Sequence, residues 1–132
     1  YKKDKITGKG VWRYRNGDRY EGDFRNGVRE GVGIYYFANG SKYEGSFVGN
    51  DFHGQGTYEF ADGRKYVGEF VRDQITGQGV ITYPYGEKYS GDFFNGRYHG
   101  HGTLSFAQDR VPLEGQWQDG RFIRYEKTSW HY

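Results

Sequence analysis

His99 and His101 stand one residue apart around Gly100, a spacing that could present two imidazoles to one metal ion. A metal centre needs more ligands than that and a rigid frame to hold them. No third ligand is evident in the sequence, the neighbours are glycines, and His53 fills the same repeat slot as His99. Carboxylates are the next candidates, because a pair of them can do general acid–base work. Glu21, Asp23, Glu44, Glu69, Asp92 and Glu114 recur at regular intervals, so none is singled out as a catalyst. They are expected to form a solvated strip, or a contact surface for a basic partner. The Gly-x-Gly pairs lack the third glycine opening a helix that a nucleotide fingerprint requires, and Lys5 to Gly10 is no complete P-loop. Asn39-Gly40-Ser41 matches a glycosylation acceptor but occupies a turn, and no signal peptide precedes it. No Ser/His/Asp set stands out, and with no cysteine there is no thiolate nucleophile and no disulfide framework. The sequence therefore predicts no enzyme, no cofactor and no metal.

What it does contain is a repeat. Tyr20-Glu21-Gly22-Asp23-Phe24 returns as Tyr43-Glu44-Gly45-Ser46-Phe47, Tyr66-Val67-Gly68-Glu69-Phe70 and Tyr89-Ser90-Gly91-Asp92-Phe93. A fifth copy reads Leu113-Glu114-Gly115-Gln116-Trp117. Successive copies are 23 residues apart, and the last is 24 from its predecessor. Gly8/Gly10, Gly31/Gly33, Gly54/Gly56, Gly77/Gly79 and Gly100/Gly102 keep the same period, with an aromatic between the two patterns at Tyr14, Phe37, Phe60, Tyr83 and Phe106. Regularity of this kind is the signature of a repeat architecture.

Each unit reads as two strands. The first starts at Gly-x-Gly, and a turn carrying Asn16-Gly17, Asn39-Gly40 or Asp62-Gly63 follows, which is a strong hairpin signal. The second strand holds Tyr-x-Gly-x-Phe. Side chains alternate across a strand, so Gly31, Gly33, Tyr35 and Phe37 share a face, as do Tyr43, Gly45 and Phe47. A three-residue loop ending in a left-handed glycine puts both sets on one side of the hairpin. Glycine weakens a strand interior, so these glycines are expected to make room for rings lying over them. The repeat slots Tyr20, Gly22, Phe24, Tyr43, Gly45, Phe47, Tyr66, Gly68, Phe70, Tyr89, Gly91, Phe93, Gly115 and Trp117 are assigned to packing. A lone hairpin recovers less from its rings than it loses in chain entropy, so stability must be collective. Five units at ~4.8 Å per strand extend about 48 Å.

The fifth unit carries one extra residue, Val111 or Pro112, before Leu113. A one-residue slip would reverse the faces, so a bulge is expected there. Arg124 stands where the repeat requires a glycine, so the array is expected to stop, with Arg121 to Tyr132 capping one edge and residues 1–7 forming the other. The whole of 1–132 reads as one array. There is no methionine, so Tyr1 is not read as a native start, and the chain is taken as a segment of a longer protein.

Composition narrows the classes further. Glycine contributes 23 of 132 residues and the mean hydropathy is −1.03, as in a disordered chain, but one residue in five is aromatic. The ordered repeat rejects disorder. The net charge of +2 argues against a dedicated nucleic-acid binder. No apolar run is long enough to span a membrane, and the absence of cysteine suits a reducing, cytoplasmic location.

Tyr-Glu-Gly-x-Phe followed by Asn-Gly and His-Gly-x-Gly resembles the MORN repeat (membrane occupation and recognition nexus), over residues 8 to 120. Phe in place of Trp in four units, Ile75-Thr76 before Gly77, and Leu113 in place of Tyr depart from the pattern and bear on local packing. The resemblance implies an all-β fold, an elongated, curved, single-layer antiparallel sheet of tandem hairpins. It also implies a scaffold or accessory module of the cytoskeleton, cilia or membrane junctions. Family members bind peptides from motor proteins in the sheet's groove, dimerise end to end, or have been proposed to bind acidic phospholipids.

Two functions are weighed. One is a non-catalytic scaffold binding a protein or peptide through the aromatic face, with the slots that vary between units as contacts: Trp12, Tyr35, Tyr58, Ile81 and Leu104. Aromatic anchors bury well at interfaces. The alternative is peripheral binding to anionic lipid through Arg15, Arg19, Lys42, Arg64, Lys65, Lys88 and Arg97. Salt separates the two, since lipid binding collapses at high ionic strength.

Overall fold

The computed structural model describes residues 7–108 and 110–126. Eleven strands follow in chain order: β1 (Gly8–Arg13), β2 (Arg19–Arg25), β3 (Val28–Tyr36), β4 (Lys42–Val48), β5 (Asp51–Glu59), β6 (Lys65–Val71), β7 (Gln74–Thr82), β8 (Lys88–Phe94), β9 (Arg97–Ser105), β10 (Leu113–Gln118) and β11 (Arg121–Tyr125). Each pairs with its sequence neighbours in one open antiparallel sheet. The described residues contain no helix, so none is long and apolar enough to cross a membrane.

Two turn types alternate along the sheet. The turns inside the first four expected hairpins have the predicted three-residue form. Phe37 N–H donates to the Ser41 carbonyl at 2.9 Å and Gly40 N–H to the Phe37 carbonyl at 3.0 Å. Gly17, Gly40, Gly63 and Gly86 all sit near φ +100°, where an L side chain is strained. The turns between hairpins are two-residue loops with both residues at positive φ, the type I′ geometry that matches strand twist. They are Asn26-Gly27, Gly49-Asn50, Arg72-Asp73, Asn95-Gly96 and Asp119-Gly120.

The ladder is interrupted once per unit. Gly22 faces Gly33 but Phe24 faces Arg29, so Glu30, Gly31 and Val32 stand opposite Asp23 alone. The same bulge recurs in β5, β7 and β9. It leaves backbone N–H groups without a ladder partner, and a side chain supplies one. The Asp23 carboxylate accepts Val32 N–H at 3.0 Å, Glu69 accepts Gln78 N–H at 2.8 Å, and Asp92 accepts His101 N–H at 3.0 Å. These three acids therefore belong to the backbone of the fold, which corrects the expectation of a merely solvated strip.

The bulge expected beside Val111 and Pro112 does not form in the strands. β9 and β10 pair without a register shift from Leu113↔Leu104 to Trp117↔Gly100. The extra residue is absorbed in the connection between them, and Leu113 keeps its face. Arg121–Tyr125 form a further strand, with a register shift beside Trp117. The expected roles of residues 1–6 and 127–132 lie outside the described residues.

Candidate functional site: the aromatic face

One face of the sheet, the front, carries the core. Tyr20, Tyr43, Tyr66 and Tyr89 are 0% exposed although among the described residues no second layer covers them. Each ring lies over a glycine of the next strand. A Cβ on Gly33 would come within 2.4 Å of the Tyr20 hydroxyl, and one on Gly56 within 2.5 Å of the Tyr43 ring. Each hydroxyl donates to the carbonyl three residues on, at 2.7–2.9 Å: Asp23, Ser46, Glu69 and Asp92. The expectation that rings lie over glycines holds. Burial pushes the Tyr20 and Tyr66 phenols up to about 12.

Phenylalanines fill the space between successive tyrosines edge-on. Phe47 meets Tyr20 at 5.0 Å and Tyr43 at 5.2 Å between centroids, the geometry that opposes ring edge to ring face. A variable slot then covers each tyrosine. Phe52 stacks on Tyr43 at 4.0 Å and Tyr98 on Tyr89 at 3.9 Å. In the first unit Arg29 takes this slot, its guanidinium donating to the Tyr14 hydroxyl at 2.5 Å and the Asn50 carbonyl at 2.7 Å. It lies 5.0 Å from the Tyr35 ring centroid. The slot Arg29, Phe52, Ile75, Tyr98 and Phe122 was not picked out from sequence, because the bulge shifts its spacing relative to the residue it faces.

The five candidate contacts lie in one row on the front. Trp12 pairs across from Tyr20, Tyr35 from Tyr43, Tyr58 from Tyr66, Ile81 from Tyr89 and Leu104 from Leu113. They are not equally available. Trp12 is 47% exposed, whereas Ile81 is 5% exposed and packs with the core. Tyr35 donates its hydroxyl to Asp18 at 2.7 Å. Tyr14, Tyr35, Phe37, Tyr58 and Phe60 form a continuous ribbon of partly buried rings, with centroids 4.7–5.7 Å apart.

The ribbon ends at Ile81, and a local change there opens a cavity. In the first unit the buried Asp18 accepts the N–H of Ala38 in the next unit's loop at 2.8 Å, and Ser41 accepts that of Ala61 at 3.1 Å. The third unit has Arg64 in this slot, which cannot accept, and the residue it would cap is Pro84, which has no N–H. Freed from capping, Arg64 pairs with Asp62 at 2.9 Å and stacks at 4.1 Å over Phe60. A cavity of about 560 Å³ lies beside it, lined by Tyr83, Pro84, Tyr85, Tyr98, Leu104, Glu87, Asp62 and Arg64. A smaller one of about 250 Å³ is lined by Phe52, Tyr58, Phe60, Phe70, Ile75 and Asp73. Burial and the neighbouring Asp51 carboxylate push the Asp73 carboxyl up, against the Phe52 N–H it accepts at 2.8 Å.

Asp18 shows the opposite balance. Burial opposes its ionisation, but hydrogen bonds from Tyr35, Ala38 and Asn16, with Arg29 nearby, outweigh that and hold its pKa below the usual value.

The lipid-binding candidates divide between places. Arg19, Lys42, Lys65 and Lys88 each precede a core tyrosine and so point to the back face, along the hairpin-turn edge. Arg15 and Arg64 lie in hairpin loops, and Arg97 stands at the opposite edge, beside the Asn95-Gly96 turn. His99 sits 3.8 Å from Asp119, and the His101 ring bonds Glu126. His53, in the same repeat slot as His99, has a structural role that His99 does not share: its Nδ1 accepts Arg72 N–H from a type I′ turn at 3.2 Å, whereas His99 Nδ1 has no hydrogen-bond partner among the described residues. Thr76 and Glu30 do as His53 does, for Asn95 and Gly49. Among the described residues no group of three His, Cys, Asp or Glu side chains is placed to hold a metal.

A one-layer sheet of tandem hairpins built on one repeat pattern, with its core on one face, defines a tandem β-hairpin repeat protein. The chain belongs to the MORN repeat family, whose pattern matches residues 1–19, 20–42, 43–63, 66–87 and 89–108. Comparison with curated proteins returns no match. The family's unit begins at the Tyr-x-Gly-x-Phe strand, so it joins β2 to β3 and β4 to β5 through the type I′ turns. MORN repeats are in general non-enzymatic modules for protein or membrane interaction.

Proposed function

We propose that this chain is a non-catalytic scaffold that holds a protein or peptide partner against its aromatic face. The observation that carries the reading is the half-exposed ring ribbon from Tyr14 to Phe60, leading into the cavity beside Tyr83, Tyr98 and Leu104. Rings already held by packing lose little entropy when a partner covers them. Apolar pockets with a few placed polar groups take side-chain anchors, and Arg64, Glu87 and Asp62 at the rim offer both signs of charge. A cytoskeletal, motor or ciliary protein is the partner class suggested by the family resemblance, in a cytoplasmic setting. Among the described residues the outer edges of β1 and β11 have no strand partner, which suits an end-to-end homodimer. Peripheral lipid binding is the less supported reading, because the candidate cations are divided between the back-face row, the hairpin loops and the opposite edge of the sheet.

The test is Leu104→Arg on the front against Val32→Arg on the back, each verified by circular dichroism. Affinity capture followed by mass spectrometry should lose its specific partners with the first variant and keep them with the second. Retention of every partner by a natively folded Leu104→Arg protein rejects the reading.

A further inference from the structure

The back face carries a row of cations that the front-face reading does not use. Register places Arg13, Arg19, Tyr36, Lys42, Glu59, Lys65, Thr82, Lys88 and Ser105 side by side across nine strands. Arg19, Lys42, Lys65 and Lys88 sit on alternate strands, β2, β4, β6 and β8. Arg19 is engaged within the chain, pairing with Glu21 at 2.5 Å and stacking 4.1 Å from the Tyr36 ring centroid. Lys42, Lys65 and Lys88 form no ion pair with a described residue, although Glu59 stands between the first two.

We propose that this row is a docking track for an acidic α-helix of a partner protein. The period of the lysine row matches that of a helix. Alternate strands of a sheet are ~9.6 Å apart, and seven residues of α-helix rise ~10.5 Å, close to two turns. A helix lying across the strands with carboxylates seven residues apart meets one lysine at each step, and the lysine stems absorb the ~1 Å mismatch. An extended strand does not fit. Three residues cover ~9.9 Å, but alternate side chains point to opposite faces. A flat anionic surface fits less well too. Glu21, Glu44 and Glu114 lie on the same face one row along the strands, and Asp23, Glu69 and Asp92 lie in the row beyond. A plane meets all three rows, whereas a single helix can lie on the first alone.

The test uses the full chain and synthetic Ala/Gln helices. One carries glutamates seven residues apart; the other has the same composition with glutamates five apart, so that they spread around the helix. Fluorescence anisotropy at low ionic strength should show the first binding about tenfold more tightly than the second, and about tenfold less tightly to Lys42→Gln/Lys65→Gln/Lys88→Gln. Leu104→Arg on the front face should leave this binding unchanged, so the two surfaces are judged separately. Equal binding of the two helices overturns the proposal, as does an unaffected triple variant. Phosphatidylserine-containing vesicles are the third arm. Their capture in the absence of helix binding also overturns it, and makes the row a lipid site.

Discussion

Adding one carbon at Gly56 would place it 2.5 Å from the Tyr43 ring, while the backbone there is ordinary strand. The cost of Gly56→Ala is therefore steric, and overpacking of this kind destabilises by about 1–3 kcal/mol. Gly49 provides the contrast: it has open space around it and a φ of +55°. Asn26 stands in the corresponding turn slot at φ 54°, so Gly49→Asn should be close to neutral. Urea denaturation of both variants checks the pair. Asp18 supplies a pH dependence. Its folded pKa is depressed, so the stability it contributes is present above the ordinary value of 3.8 and is lost as pH falls through the folded one. The stability curve should therefore drop on acidification below about pH 4, and Asp18→Asn should flatten that drop. Removing the acceptor altogether with Asp18→Ala should cost about 1 kcal/mol at neutral pH, since Tyr35 and the half-solvated Ala38 N–H lose it. The glycine and tyrosine slots were legible in the sequence because both recur at one spacing. The duties of Asp23, Glu69 and Asp92 were not, because a carboxylate bound to a backbone N–H and one in water look alike until the strand opposite is placed.

The same limit appears among the elements. Strands, their order and the glycine-ended hairpin loops follow from alternation and from Asn-Gly or Asp-Gly signals. The bulge did not, since it arises where each odd-numbered strand from β3 to β9 meets its predecessor, and alternation along one strand carries no record of it. The second turn type was also hidden, because its residues vary from Asn26-Gly27 to Arg72-Asp73. That last turn alone among the five contains no glycine, and Arg72 and Asp73 hold φ of 46° and 71°. Left-handed backbone costs a non-glycine residue about 1–2 kcal/mol, and Asn less than most. Arg72→Asn preserves the backbone N–H that His53 accepts and restores the residue type found at Asn26 and Asn95. It should stabilise the protein by about 0.5 kcal/mol, seen as a higher urea midpoint with an unchanged m value. Asp73 should be left alone, because its carboxylate holds Phe52 N–H.

At the scale of the whole molecule, every strand contacts chiefly its two sequence neighbours, so no central core exists to be destroyed. Stability then approximates a sum over units and the interfaces between them. Cutting out residues 43–65 tests this, because Lys42 would join Tyr66 in the frame that Tyr43 occupied. The new junction sets Tyr66 where Tyr43 followed the Asn39-Gly40 loop, and each remaining core tyrosine keeps an aromatic edge on both sides: Phe24 and Phe70 fall into the places of Phe24 and Phe47 about Tyr20, Phe70 and Phe93 flank Tyr66, and Phe93 and Trp117 flank Tyr89. The shortened chain should fold. Its m value should fall by about a fifth, in proportion to the surface no longer buried, and its urea midpoint should fall with it. A globular core with one-fifth of its sequence removed would lose cooperative unfolding altogether, so a chain that fails to show a transition contradicts the one-dimensional picture. The deletion also shortens both faces by one period. It removes Lys65 from the cationic row, Tyr58 and Phe60 from the ring ribbon, and Asp62 and Arg64 from the lining of the cavity beside Tyr83. Partner capture by the front face should therefore change in specificity while the sheet itself persists, which separates what the repeated residues do for the fold from what the unrepeated ones do for recognition.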